Sequence, residues 1–112
     1  MALEVTLEIV DQSAHITLVG ELDAASAPLF RTEIEAAAQA QVNRLVLFMQ
    51  KLDFMASAGL RVLAFARQKM GGEVDIYMVG VQESVLETIT MTGFHHSVFL
   101  VDSYDASQIG SA

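Results

Sequence analysis

The segment of residues 45–63, LVLFMQKLDFMASAGLRVL, constrains the fold more than any other part of the chain. Its first five residues are apolar without alternation, which is typical of a strand buried on both faces of a helix-covered sheet. Lys51 and Asp53 interrupt this run and predict a turn. Apolar residues then recur at helical spacing from Ser57, a residue type favoured as a helix N-cap. The segment therefore predicts a buried strand, a turn and a helix that is capped by Ser57.

The rest of the chain alternates strands with helices. The first twenty residues have the pattern of a hairpin whose first strand lies at a sheet edge. After the hairpin, the patterns predict a helix that runs from residue 23 to before residue 43, with Ser26 as its N-cap, and then the strand at 45–49. The helix from Ser57 follows and is closed by Gly71, and a strand at 74–80 comes next. The last predicted elements are a helix ended by Gly93, a strand at 98–101 and a short helix near 104–109. This order requires a mainly parallel sheet with right-handed crossovers. We therefore predict an α/β fold, a single domain over residues 1–112 with a mixed sheet of four to five strands and helices packed on it.

Composition excludes several classes of function. The chain has 112 residues, of which 53% are hydrophobic, and a formal net charge of −8, which argues against nucleic acid or an anionic membrane surface as a partner. No basic-then-apolar leader and no apolar run of about 20 residues is present, so we expect no membrane insertion. The lack of cysteine fits a reducing compartment. A cytoplasmic location is the expectation.

The chain shows no motif that predicts catalysis. It contains no P-loop, nucleophile elbow or dinucleotide glycine pattern, and no nucleophile and base that form a pair, so we expect neither an enzyme nor a cofactor. His95 and His96 adjoin a predicted strand and should point to opposite faces, which argues against a shared metal. The carboxylates of Glu21, Asp23 and Asp53 could form an acidic rim, but exposed loop carboxylates more often solubilise than bind magnesium.

Three stretches together resemble the STAS domain of the anti-sigma factor antagonist type. They are FMASAGL at residues 54–60, GELDAASAP at 20–28 and TGFHHSVFLVDS at 92–103, so the resemblance spans essentially the whole chain. The family pattern opens a helix with Asp-Ser-Ser-Gly-Leu. Here Ser57 keeps the phosphoacceptor position, Ala56 and Ala58 replace the first Asp and the second Ser, and Phe48 stands where the family often has a strand-end Asp or Asn.

The resemblance implies a binding module of a bacterial partner-switching pathway. The unphosphorylated protein would bind an anti-sigma factor, usually also a serine kinase, and free a sigma factor. Phosphorylation at Ser57 would end the binding, and a serine phosphatase would reset it. A phosphate there would lie at the positive end of a helix dipole, with Arg61 one turn away to pair with it. The predicted partner-binding residues surround this position: Asp23, Met55, Ala56, Ala58, Gly59 and Arg61.

Each of these predictions has an alternative. Ser57 as a helix cap needs no modification, and Asp23 could simply cap the first helix or could help a kinase position the phosphoryl group. Met55 is interpreted as an exposed apolar residue in a loop, where such a residue indicates a partner. The alanines at 56 and 58, with Phe48, favour a degenerate domain that acts as an unmodified adaptor, such as a subunit of a lipid transport complex or a scaffold in a sensor.

Overall fold

The computed structural model describes residues 3–104. The elements are β1 (Glu4–Val10), β2 (Ser13–Leu22), α1 (Ala27–Gln39), β3 (Arg44–Met55), α2 (Ser57–Met70), β4 (Asp75–Val79), α3 (Glu83–Met91), a 3-10 turn (Phe94–Ser97) and β5 (Phe99–Val101). The five strands form one sheet in chain order; β1 pairs antiparallel with β2, and the other pairs are parallel. The predicted mixed α/β sheet is confirmed. The short helix predicted near 104–109 lies, apart from its first residue, outside the described residues.

The order of the strands places all three helices on one face of the sheet. Each parallel strand is added on the same side of the preceding one, so right-handed crossovers bring α1, α2 and α3 to a single face. Buried side chains from that face and from the helices form one core. The helices contribute to it Phe30, Ile34 and Ala37 of α1, Val62, Leu63 and Ala66 of α2, and Val85 and Ile89 of α3. In each helix these residues lie on one side, and that side packs inward.

The middle strand β3 is buried on both faces, as its unbroken apolar run predicted. Leu45 and Leu47 belong to the main core, whereas Val46 is fully buried on the opposite face. Phe48, next on that opposite face, is half-buried and forms the last pair of β3 with β4. The position that carries a strand-end Asp or Asn in the family thus lies inside a longer strand here, at the point where β3 separates from β4.

The turn predicted at Lys51 and Asp53 is wrong, because β3 continues to Met55. Its pairing with β2 is irregular at two places. Thr17 pairs with Phe48 and Val19 with Lys51, so β3 uses three residues where β2 uses two. Such extra residues let polar side chains point outward without ending the strand. Polar residues such as Lys51 and Asp53, which interrupt an apolar run, are compatible both with a turn and with a bulged strand.

The opposite face of the sheet carries an aromatic cluster. The His15 ring lies edge-on to Phe48, with centroids 5.5 Å apart, and edge-on to Tyr104 at 5.3 Å. Tyr77 of β4 stacks on Phe99 of β5 at 4.8 Å. Arg44 Nη1 donates a hydrogen bond of 3.2 Å to the Tyr104 hydroxyl. Tyr104, which follows β5, therefore lies against the His15 ring on this face.

Stability should depend on pH through His15. Burial lowers the pKa of its imidazole below 6.5, an effect that Glu8 opposes and Arg44 reinforces. Since the folded pKa is the lower one, the free energy of unfolding is highest above pH 6.5 and falls as pH drops through the folded pKa. His15→Phe should flatten this dependence. Urea unfolding at pH 7.5 and 5.5 tests it, with the exposed His96→Gln as the control; an unchanged pH slope in His15→Phe would contradict it.

Candidate partner-binding site

The site lies where the carboxyl ends of β2 and β3 meet. Leu22 and Met55 are the last residue of each strand and are paired in register. The backbone N–H of Ala56 donates a 2.8 Å hydrogen bond to the Leu22 carbonyl, which ties the start of α2 to the end of β2. Because the strands are parallel, the residues that follow β2 and β3, Asp23 and Ala56, leave the sheet at the same edge. The structure thus brings the predicted Asp23 and Ser57 regions together.

Ser57 begins α2, but it is not the N-cap that the sequence predicted. Ala56 occupies that position in extended conformation, and no side chain caps the helix. The N–H of Gly59 donates to the Ala56 carbonyl at 2.9 Å, while the N–H groups of Ser57 and Ala58 have no hydrogen-bond partner within residues 3–104. The exposed Ser57 hydroxyl therefore lies beside free donors at the positive end of the helix dipole.

Asp23 and Ser26 bind one another at the entry to α1. The Asp23 Oδ1 atom accepts from the Ser26 N–H at 2.9 Å and lies 2.9 Å from Ser26 Oγ, which in turn accepts from the Asp23 N–H. These hydrogen bonds lower the pKa of the Asp23 carboxyl. Ser26 is the N-cap residue by position, as predicted, but makes no capping hydrogen bond to the helix. Asp23 thus orders the turn before α1, and its lowered pKa favours the ionised carboxylate.

Of the carboxylates in the predicted acidic rim, Asp53 makes hydrogen bonds to residues of another element. Asp53 lies on β3, where its side chain accepts from Gln82 Nε2 at 3.2 Å and its carbonyl accepts from Ser84 Oγ at 3.2 Å. It is therefore bound to the start of α3. Residues 3–104 contain no group of three or more His, Cys, Asp or Glu side chains arranged to hold a metal ion.

Met55 is buried, so its interpretation as an exposed loop residue is wrong. Its side chain is 3% exposed and belongs to the core, whereas the preceding Phe54 is 48% exposed. The irregular pairing turns Leu52 inward and leaves Lys51 and Asp53 outward, and its second irregularity restores the original alternation by Met55. Inward positions on β3 are two apart up to Met49 and then three apart at Leu52 and Met55. The exposed apolar residue at this edge is Phe54, which precedes Met55 and lies on the outward side of β3.

Gly59 is a positioning residue and does not reach the surface. It is buried, and a Cβ added to it would lie 2.7 Å from Leu22 Cδ2 and 2.9 Å from Met55 Cγ. Only a glycine lets the first turn of α2 approach the two strand ends this closely. Gly59 therefore sets the distance of the helix from the sheet, and thereby the position of the hydroxyl.

The difference in burial between Met55 and Phe54 can be tested by measuring stability. Met55→Glu places a carboxylate in a packed apolar site and should lower the free energy of unfolding by roughly 3 kcal/mol or more. Phe54→Glu, the matched change one residue away, should lower it by about 1 kcal/mol at most. Denaturant unfolding of both variants decides the point. Equal stabilities would mean that Met55 is not a core residue.

A second stability test concerns the glycine. Gly59→Ala gains helix propensity but overpacks Leu22 and Met55, and should destabilise by about 1–3 kcal/mol. Gly72→Ala is the control, because a Cβ there meets no atom within 4 Å. Thermal unfolding should show a clear drop in Tm for Gly59→Ala and little change for Gly72→Ala. A Gly59→Ala variant as stable as the original protein would show that α2 is not held this close to the sheet.

The exposed face of α2 extends from Ser57. The side chains of Arg61, Ala64 and Gln68 follow it at helical spacing and are all exposed. Arg61, one turn after Ser57, makes no hydrogen bond or ion pair with any residue in 3–104. Ala58, beside Ser57, is partly buried against the core. Of the predicted partner-binding residues, Ala56, Ala58 and Arg61 thus surround the hydroxyl, and Asp23 lies at the adjoining edge.

The two adjacent histidines lie close together, contrary to the sequence argument. They belong to the 3-10 turn Phe94–Ser97 and not to an extended strand, and their ring centroids are 3.9 Å apart. In a helical turn consecutive side chains do not alternate between two faces.

None of the helices in residues 3–104 combines the length and apolar character needed to cross a bilayer.

Residues 4–107 match the STAS domain family, and the chain belongs to it. The chain is similar to BtrV of Bordetella bronchiseptica, a candidate anti-sigma factor antagonist, with 28% identity over 93 residues, which are 82% of this chain and 80% of BtrV. The resemblance predicted from the sequence motifs is confirmed.

Solved structures of anti-sigma factor antagonists share the fold. One from Mycobacterium paratuberculosis superposes with a TM-score of 0.86 at 24% identity, covering 97% of this chain and 93% of that one. SpoIIAA in its unphosphorylated form superposes at 0.75 with 20% identity, covering 96% of each chain. Bacillus SpoIIAA in its phosphorylated form superposes at 0.73 with 19% identity, covering 96% of this chain and 98% of that one.

Proposed function

We propose that this STAS domain is an anti-sigma factor antagonist, a binding module without catalytic activity, and that phosphorylation of Ser57 switches it off. The observation that carries the proposal is the position of Ser57, exposed at the start of α2 beside N–H groups that have no partner within residues 3–104. The similarity to BtrV supports the class of function. The existence of SpoIIAA in unphosphorylated and phosphorylated forms supports the switch. The anti-sigma factor, a serine kinase and a serine phosphatase are the proposed partners, and the cytoplasm is the proposed location.

The free N–H groups of Ser57 and Ala58 make the modification compatible with the fold. A phosphate on the Ser57 oxygen would accept hydrogen bonds from these donors and would lie at the positive end of the α2 dipole. Arg61, which has no partner within residues 3–104, is one turn away and supplies a cation. The phosphorylated domain should therefore keep its structure.

The same charge acts against a partner docked on this surface. A protein that covers the start of α2 removes water from Ser57, and a buried negative charge without a matching cation on the partner costs several kcal/mol. Asp23, Ala56, Ala58 and Arg61 are the residues that we propose to contact the partner. Met55 and Gly59, also predicted as contacts, contribute from beneath by holding α2 in place.

The adaptor alternative is favoured by one observation. The family's Asp would stand at the N-cap position of α2, and Ala56 lacks the carboxylate that caps a helix or orients a phosphoryl group. An unmodified adaptor would still use the same surface for a partner. It would lack only the response to phosphorylation, so the two functions separate on that response.

Variants at Ser57 test the switch. Ser57→Asp should change the free energy of unfolding by less than about 0.5 kcal/mol, because the added charge lies at a helix N-terminus. Its affinity for the cognate anti-sigma factor should fall about a thousandfold, equal to about 4 kcal/mol. Ser57→Ala removes no capping bond and should bind as the original protein does, even after kinase treatment. Isothermal titration with each variant measures these affinities.

The control is Ser103→Asp, the same substitution at an exposed serine after β5. It should leave the affinity unchanged. Mass mapping of kinase-treated protein should find phosphate on Ser57. An unmodified Ser57, together with equal affinities of the original protein and Ser57→Asp, would overturn the switch and leave the adaptor.

A further inference from the structure

An apolar groove runs between α1 and α2 beside Ser57. It encloses about 360 Å³, and its lining residues are Ala24, Ala27, Pro28, Arg31, Ala58, Arg61, Val62 and Phe65. All the lining residues except the arginines are apolar, and several are small. A volume near the lower end of the roughly 300–1,000 Å³ typical of ligand sites fits a few side chains better than a cofactor.

Two arginines, Arg31 and Arg61, flank this groove. The Arg31 guanidinium lies 4.2 Å from the centroid of the Phe65 ring, which holds its charge over the apolar surface. The chain has 6 Lys and Arg against 14 Asp and Glu, so a pair of cations at one groove is a marked local reversal of charge.

The other two arginines are used for structure. Arg44 donates to the Tyr104 hydroxyl. Arg67 donates to the carbonyls of Gly71 and Val74 at 3.1 and 2.6 Å and to the Ser97 carbonyl at 2.6 Å. Within residues 3–104, neither Arg31 nor Arg61 makes a hydrogen bond to an oxygen. Both arginines that lack such an acceptor thus lie at the same groove.

We propose that this groove binds an acidic, apolar segment of a protein partner, in which apolar side chains enter between α1 and α2 and flanking carboxylates pair with Arg31 and Arg61. The inference deepens the proposed function and rests on it, because the segment would belong to the anti-sigma factor. Charge complementarity selects this occupant. A basic segment would be attracted to the acidic remainder of the domain but repelled at this groove.

Arg61 connects the groove with Ser57. The residues are one turn apart on α2, so a phosphate on Ser57 and a carboxylate of the partner would compete for one guanidinium. Phosphorylation would then weaken binding in two ways, by adding charge and by withdrawing a cation from the groove. Ser57→Asp should therefore reduce affinity less in an Arg61→Gln background than in the original protein.

A model peptide tests the groove without the anti-sigma factor. The probe is a helical peptide with a leucine face flanked by glutamates, and its control has glutamine in place of each glutamate. In ¹H–¹⁵N spectra of the full chain, the acidic peptide should shift the amides of Ala24, Ala27, Ala58 and Val62, and added salt should weaken the effect. The absence of these shifts at millimolar peptide, or equal shifts by the glutamine peptide, would overturn the proposal. Dodecanoate that shifts the same amides when the acidic peptide does not would identify a lipid site and overturn it too.

Charge-removing variants extend the test to the anti-sigma factor. Arg31→Gln and Arg61→Gln should each weaken binding about three- to fivefold, and together about tenfold or more. Lys69→Gln, the same loss of charge on the exposed last turn of α2, should have no effect. If the original protein binds the anti-sigma factor and the single and double arginine variants bind it as tightly as Lys69→Gln does, the groove proposal fails while the proposed function stands. If the original protein does not bind it, the proposed function fails, and the peptide result still decides whether the groove accepts an acidic segment.

Discussion

The pairing of β2 with β3 is the constraint on which the rest of the site depends. Two irregularities in this ladder change the spacing of inward side chains on β3, so that Leu52 and Met55 both reach the core. The strand is thereby long enough for Met55 to pair with Leu22, and the Ala56 N–H bonds to the Leu22 carbonyl. That hydrogen bond determines where α2 begins, and with it the position of the Ser57 hydroxyl.

At this edge of the sheet, buried residues that fix the start of α2 lie next to an exposed serine. Met55 and Gly59 are buried and hold the first turn of α2 against Leu22, while Ser57 is left on the surface. The division has a physical cause. A helix whose first turn is fixed by contacts beneath it does not need a capping side chain to stay in place, so its free N–H groups can remain available to an anion. A hydroxyl on such a turn can gain a charge without disturbing the core.

Right-handed crossovers separate this site from the aromatic cluster. All three helices lie on one face of the sheet, so the proposed partner surface and the groove between α1 and α2 share that face. His15, Phe48 and Tyr104 lie on the other. The lowered pKa of His15 therefore couples pH to stability at a distance from Ser57. Changes in that cluster can alter stability without altering the charge of the proposed partner surface.

The sequence by itself determined the architecture, the family and the start of α2 at Ser57. These follow from periods of two and of 3.6 residues, from glycines at helix ends and from an ordered set of motifs, all of which are local properties of the chain. The apolar run at residues 45–49 could be assigned to a central strand because a strand covered on both faces has no polar side.

Only the tertiary structure decided which side chains at the site face outward. Lys51 and Asp53 have the local pattern of a turn, yet the ladder with β2 absorbs the extra residues and the strand continues. The burial of Leu52 in place of Lys51 and Asp53 depends on that register, which is a property of two strands and not of one. The grouping of Arg31 with Arg61 is likewise decided by the packing of α1 against α2, because contacts between residues distant in the chain have no signature in local periodicity.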